Sequence, residues 1–280
     1  MATRKTTRRT AVRPVYVLKL GGELLEQPAD LALVASAMAH LAARGRLIVV
    51  HGGGKEIDAA LAQAGIAKVQ VDGLRVTDAP TLAVVTSVLG GTLNTRLVTT
   101  ARKARVRAVG LTGADAEVAE MKLAPPLAAG SGATVSLGLV GTPTGRTAPR
   151  LLLTLVDAGF VPVVACLGVT KTGDMLNVNA DTLAAHLAAT SGARALVIAG
   201  GTSGVLDATG QTIPHLTARS ALALIKSGTA NAGMVAKLHA CRAALKGGVR
   251  TIYIVNGRTG LTGLDPTTPL KAGTGTEVTA

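Results

Sequence analysis

Lys19 and Lys237 are two cations of this 280-residue chain whose neighbours suit phosphate chemistry. Lys19 is the penultimate residue of the apolar run Val15-Tyr16-Val17-Leu18-Lys19-Leu20, separated only by Leu20 from Gly21-Gly22. Backbone N–H groups at a glycine turn can close on phosphate oxygens because no Cβ holds the anion away, and an adjacent ammonium neutralises its charge. A second turn, Gly52-Gly53-Gly54, follows Leu47–His51 and leads into Ile57, Ala60, Leu61 and Ala64 at helical spacing. Strand, glycine turn and helix N-terminus together bind anions through aligned N–H groups and the helix dipole. Two such turns, one carrying a lysine, suggest a polyanion held between them.

The other candidates admit plainer readings. Lys237 lies in Gly233-Met234-Val235-Ala236-Lys237-Leu238, one step off the apolar stripe Met234, Val235, Leu238, Cys241 and Leu245, so it reads as a surface lysine or as an anion contact over the first helical turn. Asn177-Val178-Asn179-Ala180-Asp181 opens a helix; N-capping by Asn179 and a first-turn carboxylate account for it, and sequence alone favours that over an inward Asp181 orienting two lysines. Arg75, in Asp72–Asp78, suits bidentate grip of a carboxylate, or it is a surface arginine beside a helix cap at Asp78. His51, His186 and His239 show no metal-ligand spacing, and neither cysteine pairs with a histidine. A Gly-x-x-x-x-Gly-Lys-Ser/Thr loop and the protein-kinase motif set are both absent.

These residues need a scaffold, and the pattern along the chain supplies one. Apolar runs at Val15–Leu20, Leu47–His51, Arg107–Leu111, Val161–Cys166, Ala195–Ala199 and Thr251–Val255 read as strands. Helical patterns cover Ala29–Arg44, Lys55–Ala64, Ala79–Ala104, Pro149–Gly159, Ala180–Ser191, Thr217–Lys226 and Gly233–Lys246. That alternation predicts an α/β fold, a mostly parallel open sheet with helices on both faces. The Gly-, Pro- and Thr-rich stretch Ala114–Thr147 breaks the rhythm. Its alternating pieces Val118–Leu123 and Thr134–Val140 predict a β-hairpin excursion over one end of the sheet, placed to act as a lid.

Composition narrows the function classes. Nearly half the residues are hydrophobic, with two Tyr, one Phe and no Trp, which suits Ala-rich helices on parallel strands and not base-stacking platforms. The net charge is +13, and Arg4, Lys5, Arg8, Arg9 and Arg13 carry five of it in a basic tail, residues 1–13, without acids. A second cluster, Arg102, Lys103, Arg105 and Arg107, falls at an expected helix end. With no nucleic-acid-reading motif, the charge reads as solvated faces that attract anionic metabolites, and no nucleic-acid partner is expected. No apolar run is long enough for a membrane span, and no secretory signal follows the basic start. Cys166 and Cys241, far apart in apolar patterns, are expected as reduced thiols in a cytoplasmic protein.

In order along the chain, Lys19-Leu20-Gly21-Gly22, His51-Gly52-Gly53-Gly54, Gly73-Leu74-Arg75-Val76-Thr77, Gly110-Leu111-Thr112-Gly113, Gly138-Leu139-Val140-Gly141, Asn177-Val178-Asn179-Ala180-Asp181 and Gly233-Met234 with Lys237 resemble the amino acid kinase family, in its branch acting on N-acetyl-L-glutamate. The resemblance runs from about Val15 to the C-terminus. It implies a three-layer αβα sandwich, with residues 14–170 forming a lobe for the acyl amino acid and residues 171–280 one for ATP. It implies catalytic roles for Lys19, Lys237 and Asp181, and substrate contacts from Gly53, Gly54, Arg75 and Asn177. Nucleotide contacts would come from Lys19, Gly21, Gly22, Gly52, Gly53, Gly204, Gly233, Met234 and Lys237, with Mg2+ riding on the ATP phosphates and no protein metal site. The product would be an acyl phosphate of arginine biosynthesis. A carrier-linked aminoadipate or glutamate kinase, or a non-catalytic anion-binding homologue, are the alternatives. One departure is Gly201, in Ala199-Gly200-Gly201-Thr202-Ser203-Gly204, where the family usually has an aspartate. The short polar N-terminus lacks an apolar stripe and the end of the chain lacks the His and Glu of arginine-inhibited members, which implies an arginine-insensitive homodimer.

Overall fold

The computed structural model describes residues 13–128, 132–145, 148–230, 232–271 and 273–280. Apart from Arg13, whose guanidinium donates to the Ala42 and Ala43 carbonyls at 2.8 and 2.6 Å, the basic tail lies outside the described residues. Through residue 103 the elements are β1 (Val15–Leu20), α1 (Pro28–Arg44), β2 (Arg46–His51), α2 (Gly54–Gln63), the ribbon β3 (Gln70–Val71) and β4 (Leu74–Arg75), α3 (Ala79–Thr86) and α4 (Asn94–Lys103). Next come β5 (Ala108–Thr112), β6 (Met121–Leu123), β7 (Leu127–Ala128), β8 (Thr134–Val135), β9 (Val140–Pro143), α5 (Arg150–Asp157), β10 (Val161–Ala165), β11 (Leu167–Val169) and β12 (Met175–Val178). The rest is α6 (Ala180–Thr190), β13 (Ala195–Gly200), β14 (His215–Thr217), α7 (Ala218–Lys226), α8 (Ala232–Lys246), β15 (Thr251–Asn256) and β16 (Gly275–Thr279).

Eight strands form the central sheet in the order β14-β16-β15-β13-β1-β2-β10-β5, with only the β15–β16 pair antiparallel. β1, β10 and β13 are buried along their whole length, as expected of parallel strands covered on both faces. Helices α1 and α4 pack together, as do α6 and α8, and these helices flank the sheet as an αβα sandwich. From β1 the chain moves to β2 and outward, then returns to β13 on the other side of β1. That reversal marks the crevice at the carboxyl ends of the strands where open α/β sheets take ligands.

Three sequence readings need correction. The helix expected over Ala79–Ala104 is interrupted by a π-helical segment, Ser87–Leu93, containing Gly90-Gly91. The wider turn sets the buried Leu89 and Leu93 beneath the Gly53 backbone. The expected hairpin of Val118–Leu123 and Thr134–Val140 does not form as such. β6 pairs with β9 and joins β12 and β11 in a separate four-stranded sheet, while β7 and β8 pair only with each other. Two strands of the central sheet were not foreseen, β14 and β16. β16 slots between β15 and β14, and its buried Thr276 accepts from the Val205 N–H at 2.8 Å and donates to the Ile213 carbonyl at 2.7 Å.

Candidate active site

The central strands β13, β1 and β2 all end in glycine turns at the same end of the sheet, so three turns converge there. The first two touch. A Cβ on Gly22 would lie 2.8 Å from the Gly54 nitrogen and 2.9 Å from the Gly53 Cα, so neither chain could give way without moving backbone. Gly52 faces the Ala180 side chain at the start of α6, where a Cβ on Gly52 would already touch it at 3.4 Å. Close packing of the turns therefore brings the N-terminus of α6 over the end of β1.

On that first helical turn sits Asp181. Asn179 caps the helix by accepting from the Thr182 N–H at 3.0 Å, which frees Asp181 from any capping duty. Its carboxylate instead bridges the two lysines: Lys19 Nζ lies 2.9 Å from Oδ1 and Lys237 Nζ 3.6 Å from Oδ2. Lys19 and Asp181 are only 6% and 5% exposed. Burial alone would drive the lysine toward neutrality, but the Asp181 charge outweighs it, with help from Glu23, and holds the Lys19 pKa above the ordinary lysine value. Burial likewise opposes the Asp181 charge, and the two lysines overcome it and hold its pKa below the usual carboxylate range. Each partner's environment favours its charged form.

A second set of side chains lines the turn after β2. Arg75 is almost wholly buried and donates through Nη2 to Asp58 Oδ1 at 2.5 Å and to the Gly54 carbonyl at 3.4 Å. Its Nη1 is buried without a hydrogen-bond partner, a free donor on a fixed guanidinium. Asp58 also receives Lys68 at 2.6 Å; burial raises its pKa but the Lys68 and Arg75 hydrogen bonds pull it below the ordinary value. Asn177, on β12, donates to the buried Thr77 hydroxyl at 3.1 Å, two residues from Arg75. Gly138 makes this juncture possible: its φ is +69°, and any Cβ there would strike the Thr77 carbonyl.

Beneath the second turn, His51 is fully buried. Asn94 Nδ2 donates to the Val163 carbonyl at 2.9 Å and lies 3.1 Å from His51 Nε2, so Nε2 accepts. Nδ1 must then carry the proton, donated to the Gly52 carbonyl at 3.0 Å. Burial lowers the His51 pKa to about 4, so the ring is neutral and braces the turn. Sequence reasoning singled out neither Asn94 nor Asp58; an asparagine inside an amphipathic helix and an aspartate on an exposed one carry no local signal.

The remaining expected residues divide in two. Gly233 and Met234 lie at the start of α8, on the approach to Lys237, with Met234 in the core. Gly204, at φ +110°, has its Cβ direction filled by Thr276 and serves the seam with β16. The Gly201 N–H donates to a carboxylate brought from elsewhere in the chain, Glu23 Oε1 at 2.8 Å. Among the described residues no three His, Cys, Asp or Glu side chains gather into a possible metal group. A groove of about 450 Å³ between α6 and α8 contains none of the candidate residues.

Comparison with known proteins gives a consistent result. Residues 14–256 match the model of the amino acid kinase family. An acetylglutamate kinase of Sorangium cellulosum is 43% identical over 253 residues, covering 88% of each chain. One from Azoarcus sp. is 38% identical, covering 86% of this chain and 81% of its own. Among solved structures, an N-acetylglutamate synthase from Neisseria gonorrhoeae superposes with a TM-score of 0.78 at 24% identity, over 95% of this chain, which spans 59% of the length of that synthase. A carbamate kinase from Giardia lamblia superposes with a TM-score of 0.67 at 15% identity, covering 96% of this chain and 99% of its own, a likeness of fold.

Proposed function

The chain belongs to the amino acid kinase family, and from that premise we propose that it transfers the γ-phosphoryl group of ATP to the side-chain carboxylate of N-acetyl-L-glutamate, a step of arginine biosynthesis. The observation that carries this reading is the Asp181 carboxylate holding the Lys19 and Lys237 ammonium groups together beside two glycine turns in contact. A carboxylate nucleophile is ionised at neutral pH, so the reaction needs no general base. The obstacle is bringing one anion against another. Two fixed cations and aligned N–H groups address it by neutralising charge on the transferring group and holding the reactants in line. Asp181 keeps Lys19 protonated and holds both ammonium groups in place without being consumed. Arg75, with a buried free Nη1, and Asn177 are suited to the acetylglutamate end, Gly53 and Gly54 between the two substrates, and Gly21, Gly22, Gly52, Gly233 and Met234 to the nucleotide. In this reading residues 14–170 hold the acyl amino acid and residues 171–280 hold ATP. Mg2+ enters as part of the nucleotide substrate and shields its phosphates. The relatives matched over most of the chain are acetylglutamate kinases, which disfavours a carrier-linked substrate.

Incubation with MgATP, N-acetylglutamate and hydroxylamine tests the proposal, since an acyl phosphate is trapped as the hydroxamate. Lys19→Ala or Lys237→Ala should lower kcat about a hundredfold, on the order of 3 kcal/mol in the barrier. No hydroxamate from the wild-type chain, or near-normal kcat in either variant, counts against it. No described helix is long and apolar enough to cross a membrane, and Cys166 and Cys241 are free and buried, which supports a reducing, cytoplasmic setting. Assembly as an arginine-insensitive homodimer completes the proposal; a hexameric mass by light scattering, or inhibition by arginine, overturns that part.

A further inference from the structure

Glu23 lies on the short 3₁₀ turn Gly22–Leu24 that follows β1, and its side chain crosses to the neighbouring strand end. Oε1 accepts from the Gly201 N–H at 2.8 Å, and the rest of the carboxylate lies over Gly21, where a Cβ would collide with it. The same turn is gripped from its other side. Asn256 Nδ2 donates to the Gly201 carbonyl at 3.2 Å, and the Gly257 N–H to the Gly200 carbonyl at 2.8 Å. Arg258 closes the circuit. Its backbone N–H donates to Asn256 Oδ1 at 2.9 Å, while its guanidinium holds Asp30 at 2.8 Å and reaches the Glu23 carbonyl at 3.3 Å. The Gly200-Gly201 turn is thus tied to the ends of both flanking strands, and the Glu23 carboxylate is its link toward β1.

The location gives the link a consequence. The Gly200 Cβ direction points between Glu23 Oε1 at 3.1 Å and Lys237 Cε at 3.9 Å, so the carboxylate and the second lysine share one glycine-sized space. Glu23 also adds to the field that keeps buried Lys19 charged. We propose that Glu23 is a positioning residue for the nucleotide half of the site. By accepting from Gly201 it fixes the spacing between the turns after β1 and β13, and with it the width of the cradle that receives the ATP phosphates. A glycine pair has no side chain to hold itself in place, and its freedom must be removed by a neighbour. The acylated amino acid, bound on the Arg75 side, does not depend on this link.

The inference rests on the kinase reading, and its test separates the two. In Glu23→Ala the Kd for a non-hydrolysable ATP analogue, measured by calorimetry, should rise about tenfold. KM for ATP should follow, while KM for N-acetylglutamate stays within twofold. Exchange of the Gly201 amide, followed by NMR in the ligand-free protein, should accelerate. Glu23→Gln keeps an acceptor oxygen at the same reach and should recover most of the affinity and the slow exchange. Unchanged nucleotide affinity in Glu23→Ala, equal weakening of both substrates, or failure of Glu23→Gln to recover overturns the inference and leaves the kinase reading intact. A wild-type chain that binds no nucleotide defeats both.

Discussion

At the scale of single residues, charge is arranged so that neither member of the Lys19–Asp181 pair titrates near neutrality. Lys19 is held above its ordinary pKa and Asp181 below its own, so neither loses its charge between about pH 5 and 9. Asp181→Asn removes the largest interaction that offsets the burial of Lys19. Its pKa should then fall, and kcat should acquire an alkaline limb, dropping as pH rises through the lowered value, where the wild type is flat. Breaking a buried pair also destabilises, by about 3 kcal/mol, which a denaturant titration would register. A pH–rate profile of the variant without a new limb would mean that Lys19 is not the group that matters. His51 gives a second handle. Its folded pKa of about 4 lies below the unfolded value of 6.5, so the unfolded chain binds the extra proton between these values. Stability should therefore fall by about 3 kcal/mol as pH drops from 6.5 toward 4, and His51→Gln should flatten that part of the curve. The lysine beside a glycine turn was legible from sequence because strand, turn and charge are contiguous. Asp181 was legible only through the order of motifs along the chain, since first-turn acids help any helix and the placement of α6 over β1 is not a local signal. Asp58 as the partner of Arg75 is equally non-local.

Among elements, the glycine turns matter less for flexibility than for permitting close approach. Gly22 meets backbone, whereas Gly21 meets only the movable end of Glu23. Gly22→Ala should accordingly cost about 1–3 kcal/mol and lower activity at least tenfold, because relief would separate the turns after β1 and β2. Gly54→Ala, where a Cβ meets nothing within 4 Å, is the control and should leave the melting temperature nearly unchanged. Equal thermal melts for the two variants would refute the close-packing account. Six of the eight strands of the central sheet were readable as apolar runs, and six of the seven expected helices from spacing. The seventh failed at Ser87–Leu93, because a π-turn and an α-turn differ by less than one residue and Gly90-Gly91 obscures the period. β16 was missed for another reason: Gly275–Thr279 is a short alternating piece after a Gly- and Thr-rich stretch, and its strand character comes from pairing with β15 and β14.

For the whole molecule, the topology concentrates the proposed site at one end of the sheet while its net charge acts over distance. β1 sits where the chain reverses direction across the sheet, so the turns of β13, β1 and β2 and the start of α6 meet without any long loop to position them. Both proposed substrates are anions and the chain carries +13. Long-range attraction raises encounter rates and is screened as the Debye length shrinks from about 30 Å at 0.01 M salt to about 3 Å at 1 M. The trio at the site is buried and already paired, and screening by bulk salt should reach it weakly. Raising ionic strength across that range should thus lower kcat/KM for ATP several-fold while kcat changes by less than twofold. Removing residues 2–12 takes away Arg4, Lys5, Arg8 and Arg9 and no acid. If those residues contribute to steering, the truncated chain should show a shallower salt dependence with the same kcat. A parallel fall of kcat and kcat/KM with salt would instead place the sensitivity within the Lys19–Asp181–Lys237 cluster, contrary to its burial.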